Sequence, residues 1–268
     1  MVQVTAIPPS YATLAYHEYG SGYPVIFING LASAMDTWNP PVLEKISKHF
    51  RVIVFNNRGT GDSVVPEGQF SVPLFAKDTA FLLDSLGISR AHILGFSMGA
   101  CIAQELALAF PEKINRLVLV AGDCGSADAV RAPVDIFARL TDKNGTMEEV
   151  AQRMFPLLFP PAWLSTHDPF RYCPEVREIT STENSTRQLA AFSSWRGSLS
   201  RLENIESPTL VITGDEDVVV PPENSRLISC RIPYAKLAVF PGAGHGLMYQ
   251  CPNRFSEMVL TFLKGNKC

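Results

Sequence analysis

The stretch His92-Ile93-Leu94-Gly95-Phe96-Ser97-Met98-Gly99-Ala100 limits most what this chain can become: an apolar run meets a glycine-flanked serine and continues into an apolar helical pattern. A buried strand that turns into a helix within so few residues makes a sharp bend, and the residue at its apex is held in a strained backbone conformation. Glycines two residues before and two after leave room for the crowded backbone. A serine at that apex projects its hydroxyl above the sheet, at a helix N-terminus whose partial positive charge favours a developing anion. A bare G-x-S-x-G arises by chance in many chains; the strand before it and the helix after it give this one its meaning.

Such a bend belongs in a parallel sheet. Short β-branched runs at 25–28, 52–55, 92–94, 117–120, 210–213 and 237–240 alternate with helical patterns at 42–48, 75–86, 99–110, 223–229 and 254–263. This alternation predicts βαβ units around a mostly parallel central sheet covered by helices on both faces. The nearly continuous apolar character of the runs fits strands buried on both sides. Residues 13–18 read as an earlier antiparallel edge strand. The alternation breaks after Gly122, and 124–202 holds helical pieces and several prolines but no core strand. The expected organisation is a core domain of 1–123 and 203–268 with a helical cap, 124–202, inserted in it.

Composition excludes several classes of function. The net charge is -3 and the basic residues are scattered, so there is no electrostatic footprint for nucleic acid. No apolar run approaches the roughly 20 residues that span a bilayer. Residues 1–11 lack the basic and apolar regions of a signal peptide, which implies a cytoplasmic location. The six cysteines show no C-x-x-C pair and, the terminal Cys268 apart, read as buried, reduced thiols. The histidines lack ligand spacing such as H-E-x-x-H, so neither a metal nor an organic cofactor is expected, and His17, His49, His92 and His167 read as core or surface residues.

Taken over nearly its whole length, the chain resembles the α/β-hydrolase fold family. Leu210-Val211-Ile212-Thr213-Gly214-Asp215-Glu216-Asp217 is similar to the family's strand and turn that deliver a catalytic acid, with Asp217 at the matching position and Val220-Pro221 following. Phe240-Pro241-Gly242-Ala243-Gly244-His245 is similar to the strand and loop that deliver the base. The resemblance implies a triad of Ser97, Asp217 and His245. Asp215 and Asp123, just after the strand ending at Val120, compete for the acid's place. A serine hydroxyl needs a base within hydrogen-bond reach, for which imidazole is well matched, and a carboxylate behind the imidazole fixes its tautomer.

An oxyanion needs two backbone N–H groups, one of them from the residue after the nucleophile, here Met98. The resemblance places the other at Leu31, in Phe27-Ile28-Asn29-Gly30-Leu31, where Asn29 replaces the family's usual histidine. Asn56-Asn57-Arg58-Gly59-Thr60-Gly61-Asp62-Ser63 resembles the family's D-x-R-G-x-G-x-S loop, with Asn56 where Asp is common. It lacks the Lys-Ser/Thr ending of a phosphate-binding loop.

Serine at the bend argues against the family branches that use aspartate there, which leaves acyl transfer to water. The segment Asn29-Gly30-Leu31 with Met35 and Trp38 looks similar to 3-oxoadipate enol-lactonases and neighbouring carboxylesterases. A small-molecule substrate, a largely hydrophobic ester or lactone, is expected in a pocket lined by Asn29, Trp38, Phe137, Phe159, Trp163, Trp195 and Leu247. A C–C bond hydrolase of meta-cleavage products, a cofactor-free haloperoxidase or perhydrolase, and a ligand-binding receptor on the same fold are the alternatives, since fold does not fix function.

Overall fold

The computed structural model describes residues 3–4, 12–142 and 144–265. Its centre is an eight-stranded sheet in the order β1-β2-β4-β3-β5-β6-β7-β8. In chain order the strands are β1 (Gln3–Val4), β2 (Ala15–Tyr19), β3 (Pro24–Ile28), β4 (Arg51–Phe55), β5 (Ala91–Phe96), β6 (Ile114–Val120), β7 (Thr209–Gly214) and β8 (Ala235–Phe240). β1 pairs antiparallel with β2 and β2 antiparallel with β4, while the other six run parallel. All six expected core strands are present, and the strand expected at 13–18 is β2, antiparallel as expected but not at the edge, since β1 pairs outside it; it is preceded by a single bridge from Thr13 to Val64.

Alternate side chains of β3 serve two different cores. Ile26 and Ile28 pack with helices α2 (Val72–Ser85) and α3 (Met98–Ala109), and Val25 and Phe27 with α1 (Pro40–Ser47) and α10 (Pro252–Leu263). A strand buried on both faces has no polar side to show, which is why these runs read as continuous apolar stretches. The helices start earlier than their apolar patterns because proline occupies the first turn: Pro40 and Pro41 in α1, Pro73 in α2, Pro222 in α8 (Pro222–Arg231) and Pro252 in α10. Proline fits there because its missing N–H would have no helical acceptor.

Between β6 and β7 lie α4 (Val134–Thr141), α5 (Met147–Leu158), α6 (Pro161–Leu164) and α7 (Thr182–Ser193), with no strand among the described residues. The two ends of this segment touch. Ser198 N–H donates to Cys124 O at 2.9 Å, and a Cβ on Gly125 would lie 2.6 Å from Gly197 Cα and from the Trp195 ring. Both glycines have positive φ, +64° and +84°, so any side chain here would be both strained and obstructed. Among the described residues no helix is long and apolar enough to cross a membrane.

The sheet's connectivity fixes where chemistry belongs. From β3 the chain proceeds to β4 on one side and to β5 on the other, a reversal that opens a crevice at the carboxyl ends of these strands. The segments 29–31, 97–98, 215–217 and 241–245 all follow carboxyl ends of strands. In the register, Ile28 lies beside Gly95, which brings the loop after β3 against the turn after β5.

Candidate active site

Ser97 occupies the apex of that turn with φ +56° and ψ -121°, a conformation rare for a residue with a side chain. Its N–H donates to Val120 O of β6 at 2.9 Å, which pins the apex to the sheet. The flanking glycines are obligatory. A Cβ at Gly95 would lie 2.3 Å from Gly99 O, and one at Gly99 2.1 Å from Ile28 O. The strained turn is therefore set by close backbone approach on both sides, and Met98 follows at the first position of α3, where an N–H has no acceptor inside the helix.

Asp217 and His245, from turns after β7 and β8, meet in the interior. His245 Nδ1–H donates to Asp217 Oδ2 at 2.8 Å, and the two side chains are 4% and 0% exposed. The second carboxylate oxygen, Oδ1, accepts from Val219 N–H at 2.9 Å and Val220 N–H at 2.8 Å. With its own oxygens satisfied, Asp217 fixes the ring orientation and directs the free lone pair to Nε2. The His245 ring lies 4.9 Å from that of Phe96, the residue before Ser97. The competing acids stand elsewhere: Asp215 Oδ1 accepts from Gly242 N–H at 2.7 Å and braces the turn after β8, and Asp123 pairs with Arg131 Nη1 at 2.7 Å and Gly125 N–H at 2.7 Å.

Gly30 abuts the serine, since a Cβ there would lie 3.2 Å from Ser97 Cβ, and Leu31 follows it into a cavity of about 420 Å³. Leu31, Ser97 and Met98 all line this cavity. Its remaining wall is largely apolar, built by Val130, Val134, Phe192, Trp195, Val219 and Val220, with the Asp123–Arg131 pair as its charged element. A second cavity, about 330 Å³, lies behind Asp217 against Phe159.

Of the residues expected to line the pocket, Trp195 does so, its Nε1–H held by Glu105 Oε1 at 2.7 Å. The Phe137 side chain lies outside the described residues. The others are placed differently. Trp38 is buried in the core, edge-on to Phe27 at 4.9 Å, and Leu247, the first residue of α9 (Leu247–Gln250), is fully buried with α1 and α10. Asn29 is buried beneath the loop, its carbonyl accepting from Asn57 Nδ2 at 3.0 Å. Phe159 stacks on Trp163 at 4.5 Å and faces the second cavity, while Trp163 stacks in turn on His167 at 4.5 Å. Three of these five are large aromatics, but the packing of all five is decided by contacts remote in sequence. Part of the wall of the Ser97 cavity comes from a shorter feature, Val219-Val220, two residues after Asp217.

Among the described residues no cluster of His, Cys, Asp and Glu is arranged to hold a metal. Cys101 and Cys124 are buried, and burial pushes the Cys101 thiol well up, so it stays protonated. The expectation of burial fails for Cys230, which is exposed on α8, and is met only in part by Cys173 and Cys251, which are half-buried; Cys268 lies outside the described residues.

The model of the alpha/beta hydrolase fold family matches residues 23–251. The chain belongs to this family. Among α/β-hydrolases it is 30% identical over 255 residues to RutD of Azorhizobium caulinodans, whose proposed activity is carbamate hydrolysis, covering 94% of this chain and 95% of that one. It is 31% identical over 276 residues to BpoC of Mycobacterium tuberculosis, a proposed non-heme bromoperoxidase, covering 95% and 98%. A hydrolase from Pseudomonas aeruginosa superposes with a TM-score of 0.82 at 31% identity, covering 98% of both chains. An enol-lactonase from Burkholderia xenovorans, at 24% identity and a TM-score of 0.79 over 94% of this chain and 97% of that one, shares the α/β-hydrolase fold.

Proposed function

We propose that this α/β-hydrolase is a serine hydrolase that cleaves a small, largely apolar carboxylic ester or lactone through an acyl-enzyme. The observation that carries the reading is the 2.8 Å bond between His245 Nδ1 and Asp217 Oδ2, which leaves Nε2 as the base, one ring contact from the strained Ser97 turn. In the proposed cycle Ser97 Oγ attacks the carbonyl carbon while its proton passes to His245 Nε2. The oxyanion is held by the N–H groups of Leu31 and Met98. Collapse expels the alcohol, which takes the proton from His245. Water then attacks the acyl-enzyme, gives one proton to His245, and the acid leaves as Ser97 recovers that proton. Residues 124–202 act in this reading as a cap whose apolar side chains select the acyl or alcohol portion.

The similarity to BpoC favours a second reaction at the same site, in which hydrogen peroxide replaces water as acceptor and the acyl-enzyme yields a peracid. Steady-state hydrolysis of short p-nitrophenyl esters, with and without peroxide, tests both. Turnover abolished in Ser97→Ala and His245→Ala is the expected result, and peracid formation would add the second reaction. A folded protein that neither turns over nor is acylated at Ser97 would refute the hydrolase reading.

A further inference from the structure

The loop that carries Leu31 is closed by two long bonds of its own, Ser33 N–H to Gly30 O at 3.4 Å and Ser33 Oγ–H to Leu31 O at 3.3 Å, and is braced further from outside. Ala32, the next residue, has φ +53°, a left-handed conformation that a residue with a Cβ adopts only under constraint. Both polar groups of its backbone are taken by side chains from the segment between β6 and β7. Ala32 N–H donates to Gln188 Oε1 at 2.8 Å, and Ala32 O accepts from Thr180 Oγ1 at 3.2 Å. Gln188 lies on α7 and is fully buried. Its Nε2 donates to Arg58 O and to Thr60 Oγ1, both at 2.9 Å. Only one amide orientation satisfies this set, because the reverse would turn NH₂ toward the Ala32 N–H and an oxygen toward the Arg58 carbonyl. The far end is itself anchored, with Arg58 making paired 2.6 Å bonds to Asp78.

From this geometry we propose that Gln188, assisted by Thr180, is a positioning residue that sets the oxyanion loop by clamping Ala32, so that the segment 124–202 helps to assemble the catalytic centre as well as covering it. The proposal rests on the serine hydrolase reading. The direction of the Leu31 N–H follows from the backbone angles between Gly30, packed on Ser97, and Ala32, fixed by Gln188. A loop released at Ala32 can still pack against substrate, but it presents its donor to the oxyanion less often. The defect therefore belongs to the transition state and not to ground-state binding.

The test compares wild type with Gln188→Met, which keeps the bulk and removes all three hydrogen bonds, using a short p-nitrophenyl ester and butaneboronic acid, which forms a tetrahedral adduct on the serine. Direct removal of an oxyanion donor costs roughly 100- to 1000-fold in kcat, so loosening one is expected to cost about 10- to 100-fold, with KM within about threefold. Affinity for the boronate should fall in parallel with kcat, which a loss of stability alone would not produce in protein shown to be folded by circular dichroism. If Gln188→Met does not fold, Thr180→Val, at a less buried position, is expected to lower kcat and boronate affinity together by about 3- to 10-fold. Either folded variant with both quantities unchanged overturns the clamp. Wild-type turnover that vanishes in Ser97→Ala secures the underlying reading separately, so the two failures are distinguishable.

Discussion

Asp123 Oδ2 and Arg131 Nη1 lie 2.7 Å apart in the wall of the cavity that reaches Ser97, so the cation there already has its anion. The carboxylate is 9% exposed and the guanidinium 59%, and Asp123 is further held by Gly125 N–H. An anionic substrate meets a neutralised pair in an otherwise apolar wall and loses its hydration for little return. Neutral esters are therefore expected to exceed matched anionic ones, such as a butyrate against a hemisuccinate, by about tenfold or more in kcat/KM. Asp123→Asn frees Arg131 and should shrink that ratio several-fold; a ratio that does not move would show that the pair has no part in selection.

Asp217→Asn tests the acid without enlarging the site. The amide can still accept from Val219 and Val220 but turns a donor toward His245 Nδ1, which reverses the tautomer and occupies the basic nitrogen with a proton. A fall in kcat of about 10⁴-fold at neutral pH is expected, with folding retained. Activity within an order of magnitude of wild type would transfer the role to another carboxylate.

His92 gives the fold a pH dependence that does not involve the residues of the proposed active site. Its ring is buried between Tyr23 and Phe50, at 4.8 and 5.5 Å, and its Nδ1 has no hydrogen-bond partner. Burial, with the Arg116 charge as the smaller cause, pushes its pKa down to about 4. The unfolded chain takes up this proton near pH 6.5 and the native chain only near 4, so between these values the unfolded state binds more protons. The contribution is complete above about pH 6.5, is lost as the pH falls, and levels off below about 4, a change on the order of 3 kcal/mol. Urea midpoints of wild type and His92→Phe, compared over that range, should diverge on acidification by this amount; parallel curves would contradict it.

Arg58 and Asp78 form a paired, fully enclosed ion pair, with side chains 5% and 2% exposed. Asp78→Ala strands a buried guanidinium and is expected to cost about 3–5 kcal/mol in urea unfolding. The double variant Arg58→Met/Asp78→Leu removes both charges and should recover most of that loss. A double variant as unstable as the single would mean that Arg58 matters chiefly through its packing on Phe70, over which it sits at 5.4 Å.

The parts of this protein legible in the sequence are those fixed by neighbours along the chain. The turn at Ser97 could be read because strand, glycines and helix are contiguous, and the six parallel strands because burial on both faces leaves apolar runs. The 2.8 Å contact of Asp217 with His245 joins two short loops, each with its own recognisable stretch. The cavity wall was not legible in the same way. Whether Trp38 or Trp195 faces substrate depends on Phe27 and Phe96 in one case and Glu105 in the other, partners that no local pattern names. The same holds for Gln188, a polar residue on a predominantly polar helix whose three partners lie 128 to 156 positions away.

The pinch between Gly125 and Gly197 makes the long excursion between β6 and β7 a closed loop whatever its helices do. Because the two ends already touch, a replacement of different length or helix count imposes no new distance on the sheet and adds closure entropy only as the logarithm of its length. If the excursion selects substrate as proposed, exchanging it whole through this one narrow graft point is the way to rebuild that selection. An incoming segment would have to replace the contacts that 124–202 makes with the rest of the chain, among them the acceptor for the Ala32 N–H, the donor for the Ala32 carbonyl and the Trp195 bond to Glu105.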